Sequence, residues 1–198
     1  MIDAATLAAY EQHAAHYAQD WHEQPPPEDL YALLSAYFAP GPTADIGCGS
    51  GRDTAWLAVQ GFDVIGYDAS PALLAEARRR YPQLRFEAAE LPALQGLAPA
   101  SLRNIVCETV IMHLPAPAIA PAVRRLTELL VPGGTLYLSW RLTEGTDRRD
   151  ERGRLYAAFD TRLVLDSLGD AAIAFDKTAL SASSGKAIRR LVARRALA

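Results

Sequence analysis

Hydrophobic residues recur along the chain with two different periods, and the alternation of those periods predicts the architecture. Near the N-terminus, residues 2–24 predict one amphipathic helix, because apolar side chains recur every three or four positions. The apolar face of this helix is formed by Leu7, Tyr10, Ala14, Tyr17 and Trp21. A second helical pattern covers residues 28–39 and ends at the sequence Pro-Gly-Pro. Beyond it, short apolar runs alternate with helical patterns, which is typical of an α/β protein with a parallel sheet.

The stretch 43–57 contains an apolar run, a glycine-rich turn and an amphipathic segment in direct succession, and it predicts a strand, a binding loop and a helix. The turn alternates glycine with small residues: Gly47, Cys48, Gly49, Ser50 and Gly51. Glycine allows positive φ angles and lets a ligand approach where a Cβ would obstruct it. In a dinucleotide fingerprint, G-x-G-x-x-G, a third glycine stands where this chain has Arg52. We therefore expect a nucleoside cofactor without a pyrophosphate.

Five stretches resemble one family in the expected order. Asp45-Ile-Gly-Cys-Gly-Ser-Gly51 resembles motif I of the class I S-adenosylmethionine-dependent methyltransferases. The other four stretches are residues 61–68, 85–92, 104–114 and 129–139, the last with an L-x-P-G-G-like turn. The resemblance covers about residues 40–140 and, weakly, the remainder.

The resemblance implies the fold and the division of the chain. The expected fold is a three-layer Rossmann-like α/β sandwich, with a seven-stranded, mainly parallel sheet that a C-terminal antiparallel hairpin completes. Residues 1–198 would form a single domain. Within it, residues 1–40 would form a helical cap, residues 41–140 the S-adenosylmethionine-binding core, and residues 141–198 a substrate loop and the end of the sheet.

The resemblance also implies which residues bind the cofactor, S-adenosyl-L-methionine. Asp68 ends the second apolar strand, where an acidic side chain can accept hydrogen bonds from both ribose hydroxyls. The family's usual Asp-Ala pair is replaced by Glu87-Ala88, so either Glu87 or Glu90 is expected to contact the adenine amino group. Arg52 is a candidate partner for the cofactor carboxylate, or else pairs locally with Asp53. The expected cofactor-binding residues are Tyr17, Asp45, Gly47, Cys48, Gly49, Gly51, Arg52, Asp68, Ala69, Ser70, Glu87, Ala88, Glu90, Cys107 and Glu108.

Catalytic residues are expected after the fourth and fifth strands, since in this architecture the fourth strand ends beside the transferable methyl group. His113 is a candidate general base because an ordinary histidine titrates near neutral pH; the alternative is a packed, hydrogen-bonded histidine. Glu108 is a second candidate, expected to contact cofactor or substrate. Trp140 and Arg141 are placed to recognise a ring and an anionic group of the substrate, or else Arg141 forms a structural ion pair. The catalytic prediction is thus His113, Glu108 and Arg141.

Composition and charge narrow the substrate class. The chain has 198 residues, of which 50% are hydrophobic, which fits one domain with a full core. Its 20 basic and 23 acidic residues give a net charge of −3, so no nucleic-acid partner or anionic membrane is expected. The two cysteines, Cys48 and Cys107, show neither metal-ligand spacing nor a disulfide framework. We expect no metal, a cytoplasmic location and a monomer or homodimer, with no membrane-spanning segment.

The sequence therefore predicts methyl transfer from S-adenosyl-L-methionine to a small-molecule acceptor. A non-catalytic regulatory protein that binds S-adenosylmethionine or S-adenosylhomocysteine would show the same cofactor motifs. A nicotinamide oxidoreductase is disfavoured by the spacing of the glycines. The chain also lacks the Asn/Asp-Pro-Pro-aromatic run with which related enzymes position an amino group of adenine, cytosine or glutamine.

Overall fold

The computed structural model describes residues 2–197. The helices are α1 (Ala4–Glu23), α2 (Glu28–Tyr37), α3 (Arg52–Val59), α4 (Pro71–Arg80), α5 (Ala116–Leu129) and α6 (Thr161–Leu165). The strands are β1 (Pro42–Ile46), β2 (Asp63–Asp68), β3 (Arg85–Ala88), β4 (Leu102–Cys107), β5 (Leu130–Arg141), β6 (Arg148–Arg149), β7 (Leu155–Tyr156), β8 (Ala172–Leu180) and β9 (Ala187–Arg194). Elements therefore alternate as the apolar periods predict.

Seven of the strands form one sheet in the order β3-β2-β1-β4-β5-β9-β8. The first five are parallel, β9 is antiparallel to β5, and β8 is antiparallel to β9. The expected seven-stranded, mainly parallel sheet with a C-terminal hairpin is confirmed. Strand order reverses between β1 and β4, and in open α/β sheets ligands bind in the crevice outside the strand ends at such a point.

Apolar side chains fill both faces of this sheet, which makes the molecule three-layered. On one face, α5 packs against β4 and β5 through residues such as Ile105, Leu126 and Leu136, all without solvent exposure. On the other face, Leu34 of α2 and Leu57 of α3 belong to a second buried cluster. Parallel strands covered by helices on both faces are expected to be apolar, and the runs Ile105–Cys107 of β4 and Leu136–Leu138 of β5 are.

Two helices, α4 and α6, begin directly after a residue whose side chain caps the first turn. The Ser70 hydroxyl accepts a hydrogen bond from the Leu73 amide at 3.1 Å, and Pro71 occupies the first turn of α4. The Asp160 carboxylate accepts one from the Arg162 amide at 2.8 Å and begins α6. Serine and aspartate are among the residue types that most favour this position at a helix start.

The predicted apolar face of α1 is only partly buried. The helix is kinked at His13, whose φ and ψ are −123° and 21°. Ala14 and Tyr17 pack against Leu73 of α4, whereas Tyr10 and Trp21 are only partly buried. The apolar stripe is divided in this way because α1 lies across the strand ends rather than against the sheet.

Carboxylates attach α1 to its neighbours. Glu11 accepts hydrogen bonds from the Ala72 amide at 3.1 Å and from the Ser70 hydroxyl, at the start of α4. Asp3 caps α1 through the Thr6 amide at 2.8 Å and forms an ion pair with Arg149 at 2.8 Å. These contacts hold α1 over the crevice. Within residues 2–197, no helix combines the length and the apolar character needed to cross a membrane.

Candidate active site

The glycine loop joins β1 to α3 at the switch point. Gly47 and Gly49 have φ angles of 75° and 55°, values that side chains with a Cβ rarely adopt. A Cβ added at Gly49 would lie 2.7 Å from a ring carbon of Trp21, and one at Gly47 would overlap Val110. Both positions therefore require glycine for conformation and for space, as the sequence predicts for a loop that other groups approach closely.

Asp68 connects this loop to the start of α4. Its Oδ2 accepts a hydrogen bond from the Gly49 amide at 2.8 Å, and its Oδ1 accepts one from the Ser70 amide at 2.9 Å. Burial raises the pKa of this carboxyl, while the backbone donors oppose that shift. Each carboxylate oxygen can accept more than one hydrogen bond, so Asp68 retains acceptor capacity on the side that faces the crevice.

Asp45 lies beneath the loop and not in the crevice. Its side chain is buried and accepts a hydrogen bond from the Thr54 hydroxyl of α3 at 2.6 Å. Burial, with a further contribution from the charge of Asp53, raises the pKa of Asp45 to about 7. Asp45, which the sequence predicts to bind the cofactor, thus connects the loop to α3 and lines neither compartment.

The crevice has two adjoining compartments. The first compartment encloses about 740 Å³, its open mouth included, between the glycine loop, the start of α4 and the segment after β3. Its lining includes Gly47, Gly49, Asp68, Ala69, Ser70, Ala89, Glu90 and Leu91. The second compartment encloses about 810 Å³, likewise with its mouth, and its lining includes Cys48, Arg52, Asp53, Met112, Arg141, Arg154, Tyr156, Ser181, Ser183 and Ser184. Both volumes suit a small organic ligand.

Both compartments share one wall, which is formed by residues of α1, the glycine loop and the segment after β4. These shared residues are Tyr10, Trp21, Gly47, Gly49, Glu108, Thr109 and His113. A ligand in one compartment would therefore meet a ligand in the other at this wall.

His113 lies in the shared wall with both ring nitrogens hydrogen-bonded. Nδ1 lies 2.5 Å from the Leu155 carbonyl oxygen, which can only accept, so Nδ1 carries the proton. Nε2 then accepts from the Tyr10 hydroxyl at 3.1 Å. Burial lowers the pKa of His113 to about 4, so the ring is neutral at pH 7. The structure thus provides the packed, hydrogen-bonded arrangement that the sequence leaves as the alternative to a free base.

Glu108 also faces both compartments and is anchored to the sheet. Its Oε2 accepts hydrogen bonds from the Tyr137 hydroxyl at 2.7 Å and from the Ser139 hydroxyl. Burial raises its pKa. Arg52, across the second compartment, donates from Nε to Asp53 at 3.0 Å, which is the local pairing that the sequence allows.

Arg141 reaches the second compartment from the end of β5. Its Nη1 lies 3.4 Å from the Tyr156 hydroxyl, and its guanidinium carbon lies 5.5 Å from the centre of the Tyr156 ring. Trp140 does not accompany it: that side chain is 1% exposed and packs near Phe159. Successive residues of a strand point to opposite faces, so Trp140 enters the core and the expected ring recognition by Trp140 is wrong.

Several of the other predicted cofactor residues, although not Glu90, lie outside both compartments. Tyr17 is 3% exposed between α1 and α4, and Cys107 is fully buried in the sheet. Gly51 begins α3 and packs under Phe86. Glu87 is exposed on β3, whereas Glu90 lines the first compartment, which favours Glu90 as the adenine contact. Ala88 borders a shallow depression beside Ala69 and Glu90.

The structure adds residues that the sequence reasoning missed. Arg154 and Tyr156 come from the β6–β7 hairpin, inside a stretch that the sequence predicts only to contain a substrate loop. Each strand of this hairpin has two residues, which is too short for a strand period to show in the sequence. The three serines lie in the turn between β8 and β9, and no local pattern indicates that this turn reaches the crevice.

Comparison with known proteins places this geometry among methyltransferases. A family model described as "Methyltransferase domain" matches residues 44–134. The trans-aconitate 2-methyltransferase of Methylobacterium nodulans is 37% identical over 113 residues, which are 56% of this chain and 42% of that protein. The protein of the same name from Sinorhizobium fredii is 32% identical over 184 residues, 90% of this chain and 62% of that one. The chain thus spans less than two thirds of the length of these curated relatives.

Solved structures share the fold. A 1,6-didemethyltoxoflavin-N1-methyltransferase from Burkholderia thailandensis, whose structure holds its substrate and S-adenosylhomocysteine, has a TM-score of 0.77 and 22% identity. That match covers 98% of this chain and 88% of that chain. A methyltransferase from Anabaena variabilis has a TM-score of 0.75 and 20% identity, with 98% and 96% of the two chains covered. At these identities the likeness establishes the fold.

Proposed function

We propose that the chain is a class I S-adenosylmethionine-dependent methyltransferase that transfers a methyl group from S-adenosyl-L-methionine to a small-molecule acceptor. The match of residues 44–134 to the methyltransferase-domain model and the similarity to curated methyltransferases support this proposal. The observation that supports this most is the pair of compartments that share one wall at the switch point of the sheet. One compartment would hold the cofactor and the other the acceptor. Small-molecule methyltransferases among the relatives support the same reaction class.

The residues of the first compartment fit the cofactor. Asp68 retains acceptor capacity for ribose hydroxyls, and Glu90 offers a carboxylate for the adenine amino group. Gly47 and Gly49 line this compartment and present no side chain to a ligand. The carboxylate of Glu108 would favour the positive sulfonium and amino groups, since opposite charges attract strongly where water is excluded. Bound S-adenosyl-L-methionine supplies a methyl group that is already activated for displacement.

The chain's own contribution is positioning. With the reactive group supplied by the cofactor, the protein must orient the acceptor and exclude water. α1 closes the crevice through its contacts with α4 and with the β6–β7 hairpin. In this proposal His113 holds the Tyr10 hydroxyl at the shared wall, and it becomes a proton acceptor only if that hydrogen bond opens.

A labelled-transfer experiment tests the function. The purified chain is incubated with S-adenosyl-L-methionine carrying a radiolabelled methyl group and with the low-mass fraction of a bacterial extract. We expect label in a low-mass product, formed in equal amount to S-adenosylhomocysteine. Tight binding of S-adenosylhomocysteine without any transfer would contradict catalysis and support the regulatory alternative, while absence of binding would contradict both.

A further inference from the structure

Positive charge is concentrated on one side of the second compartment. The guanidinium carbons of Arg141 and Arg154 lie 5.5 and 5.9 Å from the centre of the Tyr156 ring. Arg141 comes from the end of β5 and Arg154 from the β6–β7 hairpin, so two separate elements direct cations to the same ring. Such convergence is what recognition of an anion requires.

Arg141 has no compensating anion in the part of the chain that the structure describes. Among residues 2–197, no carboxylate oxygen lies within 4.0 Å of its guanidinium, in contrast to Arg52 and Arg154. Its Nε is buried and has no hydrogen-bond partner in the described part of the chain. A buried donor without an acceptor is destabilising, and more so when it is charged. A ligand oxyanion in this compartment would supply the missing acceptor.

The Arg154 side chain is held in place by two hydrogen bonds. Its Nε donates to Asp150 at 2.7 Å, and its Nη1 donates to the Tyr10 hydroxyl at 3.3 Å. The first contact fixes the hairpin, and the second brings the guanidinium to the wall that both compartments share. The guanidinium is therefore oriented before any ligand arrives.

The two acidic residues that line the second compartment do not neutralise Arg141. Asp53 is engaged by Arg52 at 3.0 Å and by the Tyr31 hydroxyl at 3.0 Å. Glu108 is engaged by two hydroxyls of β5. The turn after β8 adds hydroxyl groups at the rim, where the Ser181 and Ser183 oxygens lie 3.3 Å apart. The compartment thus has carboxylates toward the glycine loop and cations with hydroxyl donors opposite.

We propose that the second compartment binds the acceptor through an ionised carboxylate held between Arg141 and Arg154, so that the acceptor is a small carboxylic acid. This rests on the proposed function, because it assigns the second compartment to the acceptor. A planar guanidinium forms paired hydrogen bonds with a planar carboxylate, which an ammonium group cannot do. The Tyr156 ring, which lies near both guanidinium groups, provides an apolar face for the carbon skeleton.

Calorimetric titration tests the proposal without any need for turnover. Protein saturated with S-adenosylhomocysteine is titrated with trans-aconitate, fumarate and benzoate, and in parallel with the neutral amides fumaramide and benzamide and with phenyl phosphate. We expect at least one carboxylate to bind, its own amide to bind at least about tenfold more weakly, and phenyl phosphate to bind no better.

Matched variants locate the binding. Arg141→Gln and Arg154→Gln should each weaken the bound carboxylate by at least about tenfold and leave S-adenosylhomocysteine affinity within about twofold. Arg148→Gln, on the same hairpin but exposed and outside the compartment, should change neither. Because Arg154 also supports the hairpin, Arg141→Gln is the decisive variant.

The outcomes separate the two proposals. Equal binding of acids and amides, preference for phenyl phosphate, unchanged affinity in Arg141→Gln, or no binding of any acid to the S-adenosylhomocysteine complex would overturn the carboxylate assignment alone. Failure of S-adenosylhomocysteine itself to bind would instead overturn the proposed function on which it rests.

Discussion

Replacement of Asp68 by alanine should weaken both cofactor binding and the fold, and the two effects can be separated. In the structure the carboxylate accepts one hydrogen bond from Gly49 and one from Ser70. Alanine would leave both backbone amides without that acceptor in a half-buried site. Each such loss costs about 1–3 kcal/mol, so the free energy of unfolding should fall by roughly 2–6 kcal/mol. The decrease is smaller to the extent that water forms hydrogen bonds with the two amides in place of the carboxylate.

The same replacement removes the acceptor proposed for the ribose hydroxyls. Hydrogen bonds to a charged group contribute about 1.5–3 kcal/mol each, so the affinity for S-adenosylhomocysteine should fall by at least about tenfold even where the variant is fully folded. Urea unfolding measures the first effect, and calorimetry below the unfolding transition measures the second. Asp170→Ala, at an exposed aspartate, is the control and should change neither.

Two results would contradict these expectations for Asp68→Ala. A folded Asp68→Ala protein that binds S-adenosylhomocysteine as tightly as the parent would limit Asp68 to holding the glycine loop. An unfolding free energy unchanged to within about 0.5 kcal/mol would mean that the two backbone hydrogen bonds are replaced by solvent, contrary to the cost argued from burial.

Three further predictions follow from single residues. Gly49→Val should abolish S-adenosylhomocysteine binding, because a β-branched side chain would need φ near 55° and would meet Trp21; calorimetry together with circular dichroism checks this, and a folded variant that binds normally would contradict it. NMR titration of His113 should give a pKa near 4, below the value of about 6.5 in the unfolded chain. The free energy of unfolding should therefore decrease as the pH falls from about 6.5 toward 4, because the unfolded state binds a proton that the folded state does not. The His113→Asn variant should lack this contribution to the pH dependence. Arg141→Lys should raise the KM for the acceptor while S-adenosylhomocysteine affinity stays within about twofold, because an ammonium lacks the planar fork; an unchanged KM would remove Arg141 from the acceptor site.

The sheet could be predicted from sequence because its information is local. Each parallel strand is an apolar run followed by a turn signal, and the ordered motifs fix which strand follows which. The C-terminal hairpin, which the resemblance implies, is formed by β8 and β9. The two-residue strands β6 and β7 could not be predicted with the same rules, because they lie in a charged segment and are too short to show a period.

The site was predicted less completely, because a sequence motif identifies residues that are adjacent in the chain but does not show which of their side chains face the crevice. Asp45 and Gly51 flank the glycine loop, yet one lies beneath it and the other starts α3. Cys107 precedes Glu108 at the end of β4, and only Glu108 faces the crevice. Arg154 is brought to the second compartment by hairpin formation, a tertiary event that no local pattern reports.

A crystal structure of the chain with S-adenosylhomocysteine would show which compartment holds the cofactor. We predict that the nucleoside lies in the first compartment, with its ribose hydroxyls hydrogen-bonded to Asp68 and its adenine near Glu90. We also predict that the sulfur faces the wall shared with the second compartment. A nucleoside bound elsewhere, or bound with its sulfur turned away from Glu108 and His113, would contradict the assignment of the two compartments.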